Sequence, residues 1–303
     1  MPTLTALYVY PVKSCAAIAL NDAHLLANGL AYDRNWMIVE PDGTMVTQRT
    51  VPRLALIRVE IGERDLILSV PADACADAAG LAPLHTPLTV DALVAGHGTQ
   101  HRSVTIWGDT VDALDTGDAC AQWLSTYLGM TVRLVRFDPA AERIASRKWT
   151  GELRAPTQFV DGFPLLVANT GSLDDLNQRL TAKGAPAIPM DRFRANLVIS
   201  GWDAFEEDFI ETLTIVPATH DGEAVELRFV KPCSRCPMPT IDQATGAPDP
   251  AWPNEPTDTL VVYRRDPRVN DAPTFGQNAV IVSGVGARLA VGQQVEAEIA
   301  FGD

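Results

Sequence analysis

Lys231-Pro232-Cys233-Ser234-Arg235-Cys236-Pro237-Met238-Pro239 follows the strand-like run Leu227-Arg228-Phe229-Val230 and carries the sharpest chemistry in the chain. Its three prolines favour extended or turning backbone. The residue before a proline avoids the α region, so Cys236 is not expected in a helix. That setting governs how the Cys-x-x-Cys pair is read. A dithiol redox pair usually opens a helix, whose N-terminus lowers the first thiol's pKa. Half of a zinc site needs two further ligands; His97 and His101 have a ligand-like spacing but stand far upstream. A single thiolate ligand to a soft or redox-active metal suits a strand–loop junction. Lys231 and Arg235 would favour thiolate over thiol, and Ser234 and Arg235 would bind something anionic. Two buried structural thiols in a turn is the remaining reading.

The same grammar recurs elsewhere. Pro11-Val12-Lys13-Ser14 follows the strand-like Leu4–Tyr10, Tyr32-Asp33-Arg34-Asn35-Trp36 precedes Trp36–Val39, and Asp191-Arg192-Phe193-Arg194-Ala195-Asn196 precedes Leu197–Ile199. Each sets Lys or Arg beside Ser, Asp or Asn at a strand end. One such site is an ordinary solvated charge; several together could converge on an anionic ligand.

Between these points the chain reads mostly as strands. Pro41-Asp42-Gly43 turns Trp36–Val39 toward Met45–Thr47 as a hairpin. Leu54–Ile61 and Leu66–Val70 alternate apolar and polar, the period of half-buried strands. Residues 71–100, rich in Ala, Pro and Gly, read as an irregular loop. Val104–Gly108 and Thr110–Leu114 form another hairpin. A helix follows, capped by Asp115 or Thr116, with Cys120, Trp123, Leu124, Tyr127 and Leu128 on one face and Gly129 as its stop. A second helix is expected from Ser172 to Lys183, with Ser172 and Asp175 as a capping box and Gly184 ending it. Further strands are expected at Leu213–Val216, Leu260–Tyr263 and Ala279–Val282. The fold class is α+β, β-dominated, with barrel-like sheets.

The 303 residues suffice for one large or two small domains. A formal charge of −14 argues against nucleic acid or an anionic membrane surface as partner. Five cysteines, an odd number, argue against a secreted disulfide scaffold. The N-terminus has no signal-peptide pattern and no apolar run reaches the ~18 residues of a span, so a cytoplasmic protein is the expectation. Glu206-Glu207-Asp208 reads as a solvated surface that could dock a basic redox partner. Arg264-Arg265-Asp266-Pro267-Arg268 reads as a docking or substrate-entrance loop.

In this order and spacing, Tyr10–Ser14, Tyr32–Trp36, Phe193–Val198, Cys233–Cys236 and Phe275-Gly276-Gln277-Asn278 resemble the MOSC family with its N-terminal MOSC partner domain. Within that family the chain is similar to the mitochondrial amidoxime-reducing component and its bacterial relatives, which reduce N-hydroxylated compounds. The resemblance implies an N-terminal MOSC β-barrel-like domain over 1–110. It implies a MOSC-type barrel domain with a few helices over 111–303, its helical segment at about 115–184. It implies a pyranopterin molybdenum cofactor, with Cys236 as the catalytic protein ligand to the metal. Lys13, Ser14, Arg34, Arg194 and Asn196 would hold the pterin and its phosphate, with Ser234, Arg235 and Asn278 beside them. The segment Asp161-Gly162-Phe163 would contribute backbone contacts. Relatives often have Pro where Ala195 stands. The implied activity is removal of oxygen from small N-hydroxylated molecules. Electrons would come from an external ferredoxin, flavoprotein or cytochrome, because the chain lacks the Cys cluster of a ferredoxin domain. Some family members suggest the alternative of a cofactor carrier or sulfur-handling protein. A zinc- or disulfide-stabilised interaction protein is the plainest alternative.

Overall fold

A computed structural model describes residues 1–72, 80–98, 100–217, 219 and 222–300; Cys75 lies outside them. The main sheet runs in the order Ile18–Leu20, Thr3–Val9, Leu197–Ser200, Leu165–Asn169, Ala272–Ser283, Val225–Ser234, Ile210–Ile215 and Val295–Ile299. All pairs are antiparallel except Leu165–Asn169 with Leu197–Ser200, which the helix Thr170–Ala182 joins as a parallel crossover. The sheet then closes on itself. The backbone N–H of Leu4 donates to Gln293 O (2.9 Å), Gly292 to Leu4 O (2.8 Å) and Val295 to Pro2 O (3.1 Å). The closed barrel is filled by Leu4, Leu7, Val9, Leu165, Val167, Leu197, Ile199, Leu213 and Leu227, inward residues of neighbouring strands. Gly276 has φ +74°, and a Cβ there would come within 2.6 Å of Val167 O, so only glycine lets these two strands pair so closely.

A second sheet orders Trp36–Val39, Arg133–Phe137, Asp109–Asp115 and His101–Ile106; a third orders Arg58–Ile61, Asp65–Ser69 and Leu84–Pro87. They share a core with the helix Asp118–Leu128, which buries Cys120, Trp123, Leu124, Tyr127 and Leu128 as its spacing predicts. The strand Asp109–Asp115 runs through the expected division at residue 110, and Thr3–Val9 belongs to the sheet of the later strands. No helix among the described residues is long and apolar enough to cross a membrane.

Several expectations need correction. Residues 71–100 are not simply loop: Leu84–Pro87 is a strand, and the helix Val90–His97 follows, with Thr89 accepting from Ala92 N. Leu54 to Ile61 begins as a 3-10 turn, Pro52–Leu56, because proline starts it, and becomes a strand only at Arg58. Leu260–Tyr263 lies in the helix Thr257–Tyr263; a short apolar run fits either structure, and here only one side of it is buried, with Leu260 at 0% and Val262 at 83% exposure. Neither helix is capped as expected. Gly117 occupies the N-cap of the first, and Asp115 accepts from its N–H. Asn169 caps the second by accepting from Gly171 N, while Ser172 lies inside the helix, turned to Glu207. Both end as expected, with Gly129 in the left-handed region and Gly184 at φ +90°.

Candidate functional site

Leu197 lies opposite Leu7 on one side and Val167 on the other, which sets the loops after Val9, before Leu165 and before Leu197 side by side. Between them opens a cleft of about 850 Å³, counting its mouth. All twelve residues singled out above line it: Cys236, Lys13, Ser14, Arg34, Asp161, Gly162, Phe163, Arg194, Asn196, Ser234, Arg235 and Asn278. Six cationic side chains face it, Lys13, Arg34, Arg49, Arg192, Arg194 and Arg235, against one acid, Asp161. In a chain of net charge −14 that concentration marks an anion's place.

The backbone is forced into shape here. Ser14, Arg34 and Arg194 have φ of 68°, 51° and 56°, the left-handed region that side chains other than glycine's rarely adopt. Such strain persists only where the surroundings hold it, and it clusters at binding sites. Tyr10 is one support. Its hydroxyl donates to Ala195 O (3.1 Å), and the guanidinium carbons of Arg34 and Arg194 both lie 4.2 Å from its ring centroid. Burial pushes the Tyr10 hydroxyl well above its usual pKa, so it stays protonated.

The donors divide into spent and open ones. Arg34 donates to Asp33 (2.5 Å), Asn196 Oδ1 (3.2 Å) and Arg194 O (3.2 Å). Asn196 also accepts from Leu166 N and donates to Tyr8 O, so it ties three strands. Arg235 donates to Phe275 O (3.1 and 2.8 Å) and Phe193 O (3.1 Å). It thereby clamps the stacked Phe193–Phe275 pair, whose centroids are 3.8 Å apart. Asn278 donates to Lys231 O (3.1 Å). By contrast, Ser14 Oγ and Arg194 Nη2 are buried and have no hydrogen-bond partner among the described residues. A buried orphan donor costs about 1–3 kcal/mol, which a bound acceptor removes.

Lys13 is 5% exposed, donates to Phe159 O (2.8 Å) and pairs with Asp161. Burial lowers the Lys13 pKa, and Asp161 resists that change. Burial would raise the Asp161 pKa, but Lys13, Arg49 and Arg34 outweigh it and hold the carboxyl below the usual range. Asp161 therefore stays ionised, an acceptor at the mouth.

Cys236 and Cys233 both face the cleft as free thiols. Met238 N donates to Cys236 Sγ (3.5 Å). Cys236 lies outside any helix, as the prolines require. Burial raises the Cys233 pKa. Cys15 and Cys120 are core residues, the Cys15 thiol pushed up to about 12 by burial. No three His, Cys, Asp or Glu side chains gather into a metal-holding group among the described residues, and His101 pairs instead with Asp138 (3.2 Å).

Sequence reasoning missed Arg49, Trp107 and Met238 in the cleft wall, and Arg143, which donates to Gln158 O, Val160 O and Asp161 O and so shapes the segment before Gly162. Nothing local marks Arg49 or Arg143; their roles come from distant partners. Two charge runs are partly taken up by the fold, while Arg265 and Arg268 stay exposed. Glu207 is fully buried against Ser172 and Asn169. Arg264 pairs with Asp208 (2.5 Å) and Arg268 with Asp266 (2.6 Å), outside the cleft lining.

Fold and cleft together define a barrel protein of the MOSC class: residues 1–131 match the MOSC N-terminal beta barrel domain and residues 155–296 the MOSC domain. The chain belongs to this family. It is 34% identical to mitochondrial amidoxime-reducing component 1 of Mus musculus, over 91% of this chain and 76% of that protein. It is 33% identical to mitochondrial amidoxime reducing component 2 of Homo sapiens, over 90% and 77%. It is also 31% identical to the human molybdenum cofactor sulfurase, over 80% of this chain but 27% of that protein.

Proposed function

We propose that this protein is a molybdenum-cofactor-dependent reductase that removes oxygen from N-hydroxylated compounds such as amidoximes, with electrons from a separate donor protein. Kinship with amidoxime-reducing components and a molybdenum cofactor sulfurase supports a molybdenum-linked role. The observation that carries the reading is the meeting of two free thiols, Cys233 and Cys236, with orphaned buried donors on Ser14 and Arg194 in one cationic cleft; the motif resemblance picks Cys236 of the two. The donor set fits a multiply anionic group anchored by a soft metal. The pyranopterin cofactor would supply two-electron, oxygen-accepting redox chemistry.

The chain's own residues would do the rest. Cys236 Sγ would be the thiolate ligand, steadied by the Met238 N–H. Ser14, Lys13, Arg34 and Arg194 would hold the phosphate, Arg194 through its open Nη2. Gly162 and Phe163 would approach through backbone; a Cβ at Gly162 would meet nothing within 4 Å, so the cleft is open there. Asn196, Arg235 and Asn278 would act mainly by fixing the wall, since their donors go to protein carbonyls. The division into a 1–110 and a 111–303 part belongs to this proposal, with the cleft drawing on both. The reductant would be a ferredoxin, flavoprotein or cytochrome.

Expression in a host that makes the cofactor, with molybdenum and pterin measured per chain, tests this directly. Wild type should load and reduce benzamidoxime, and Cys236→Ser should do neither. Full activity in that variant overturns the assignment. Kinship with the sulfurase favours a second reading, a carrier or sulfur-handling role. A loaded protein inert toward every N-hydroxylated substrate with chemical reductants would establish it.

A further inference from the structure

Trp107 occupies a position that its own backbone disfavours. Ile106 pairs with Asp109, so Trp107 and Gly108 form a two-residue turn. The first residue of such a turn commonly has positive φ and is commonly glycine. Here it is tryptophan, at φ +55°. A bulky residue in that region signals a role for its side chain.

The indole stands at the cleft mouth. Among the described residues, it is the one large exposed apolar side chain that lines the cleft, at 41% exposure. It is held in place rather than loose. Its Nε1 donates to Asp161 Oδ1 (3.3 Å), and the Arg49 guanidinium stacks 4.1 Å from its ring centroid. Arg49 donates no side-chain hydrogen bond among the described residues, and its Nε is buried without a partner. The pair is thus not a tie into the core. The donors assigned to the phosphate lie deeper, Ser14 at 2% and Arg194 at 8% exposure.

We infer that the Trp107 indole, oriented by Asp161 and Arg49, is the platform on which flat aromatic N-hydroxylated substrates stack, so that the cleft prefers them to aliphatic ones. This rests on the reductase reading above. A flat amidine-type molecule offers a ring to the indole and N–H donors to the ionised Asp161 carboxylate beside it.

The test compares benzamidoxime with acetamidoxime on holoenzyme, in wild type, Trp107→Gly and Trp107→Phe. Glycine suits the turn, so Trp107→Gly folds while removing the platform. The expected result is a fall of about tenfold in the benzamidoxime-to-acetamidoxime ratio of kcat/KM for Trp107→Gly, carried by KM, with Trp107→Phe retaining most of the preference. Molybdenum and pterin content should match wild type. An unchanged ratio overturns the inference, and so does a loss of cofactor, which would give the ring to the pterin instead. Calorimetry with benzamidine and acetamidine separates this inference from the reading beneath it. A wild type that binds benzamidine better, through Trp107, but reduces no amidoxime breaks only the reductase proposal. A wild type without that preference breaks this one.

Discussion

Two buried polar clusters sit on the same barrel and differ in one respect. Around Glu207 every group is matched. Ser172 Oγ donates to the carboxylate (2.7 and 2.8 Å) and accepts from Phe205 N (2.8 Å). Asn169 donates to it (3.0 Å) while capping its own helix. In the cleft, four buried side-chain atoms have no hydrogen-bond partner among the described residues: Ser14 Oγ, Arg49 Nε, Arg192 Nε and Arg194 Nη2. Similar residue types thus make a closed structural knot in one place and an open receptor in the other. A cluster that satisfies itself needs no ligand; one that does not is waiting for acceptors.

The largest effect expected from this contrast is at Cys236. Changing it to Ser should bring both metal content and benzamidoxime turnover to background, since an alcohol replaces the soft ligand. Elemental analysis and a reductase assay read this. Next is Arg235→Ala. Three carbonyl contacts from a charged group disappear together, so urea denaturation should show a loss of about 3 kcal/mol. Arg235→Lys should not restore it, because an ammonium cannot replace the planar fork. Arg194→Ala should behave in the opposite way. Cofactor retention should fall by about tenfold, the loss of one charge-assisted contact, while stability shifts by less than about 1 kcal/mol. Burial already lowers the pKa of this guanidinium, so removing it relieves a desolvation cost. A large loss of stability here would erase the distinction between spent and open donors.

The smallest effect belongs to the closed cluster. Burial raises the Glu207 pKa, so the fold favours its protonated form. That contribution is full below the ordinary glutamate pKa and is lost as pH rises through the raised value. Glu207→Gln should therefore gain in Tm relative to wild type as pH rises above the ordinary glutamate range of about 4. A constant difference over that rise would mean that the carboxylate is not penalised.

Much of this site is written in short motifs. Lys13-Ser14, Arg34, Arg194-Ala195-Asn196 and Cys233–Cys236 each lie at a strand end, and strand ends are legible because alternation and β-branched runs stop there. The barrel's closure is not legible, since it depends on Pro2–Leu4 meeting Gly292–Val295. Nor is the fate of individual charges. Glu207 sits in an acidic triplet that looks solvated, yet its partners come from a helix start 35 and 38 residues earlier in the chain. Arg235 stands in the most informative motif, and only coordinates show its fork turned to two phenylalanine carbonyls. Leu260–Tyr263 fails for a different reason: four apolar residues contain too little periodicity to distinguish helix from strand.

The seam of the barrel sets a timetable for biosynthesis. Thr3 lies opposite Ser200 and bridges Gln294, so this strand waits for residues far along the chain before it finds both neighbours. Such remote pairings slow folding. The cleft draws likewise on residues as far apart in sequence as Lys13 and Asn278. A nascent chain therefore has no finished receptacle until Asn278 is made, and a prosthetic group would find its full set of partners only after that.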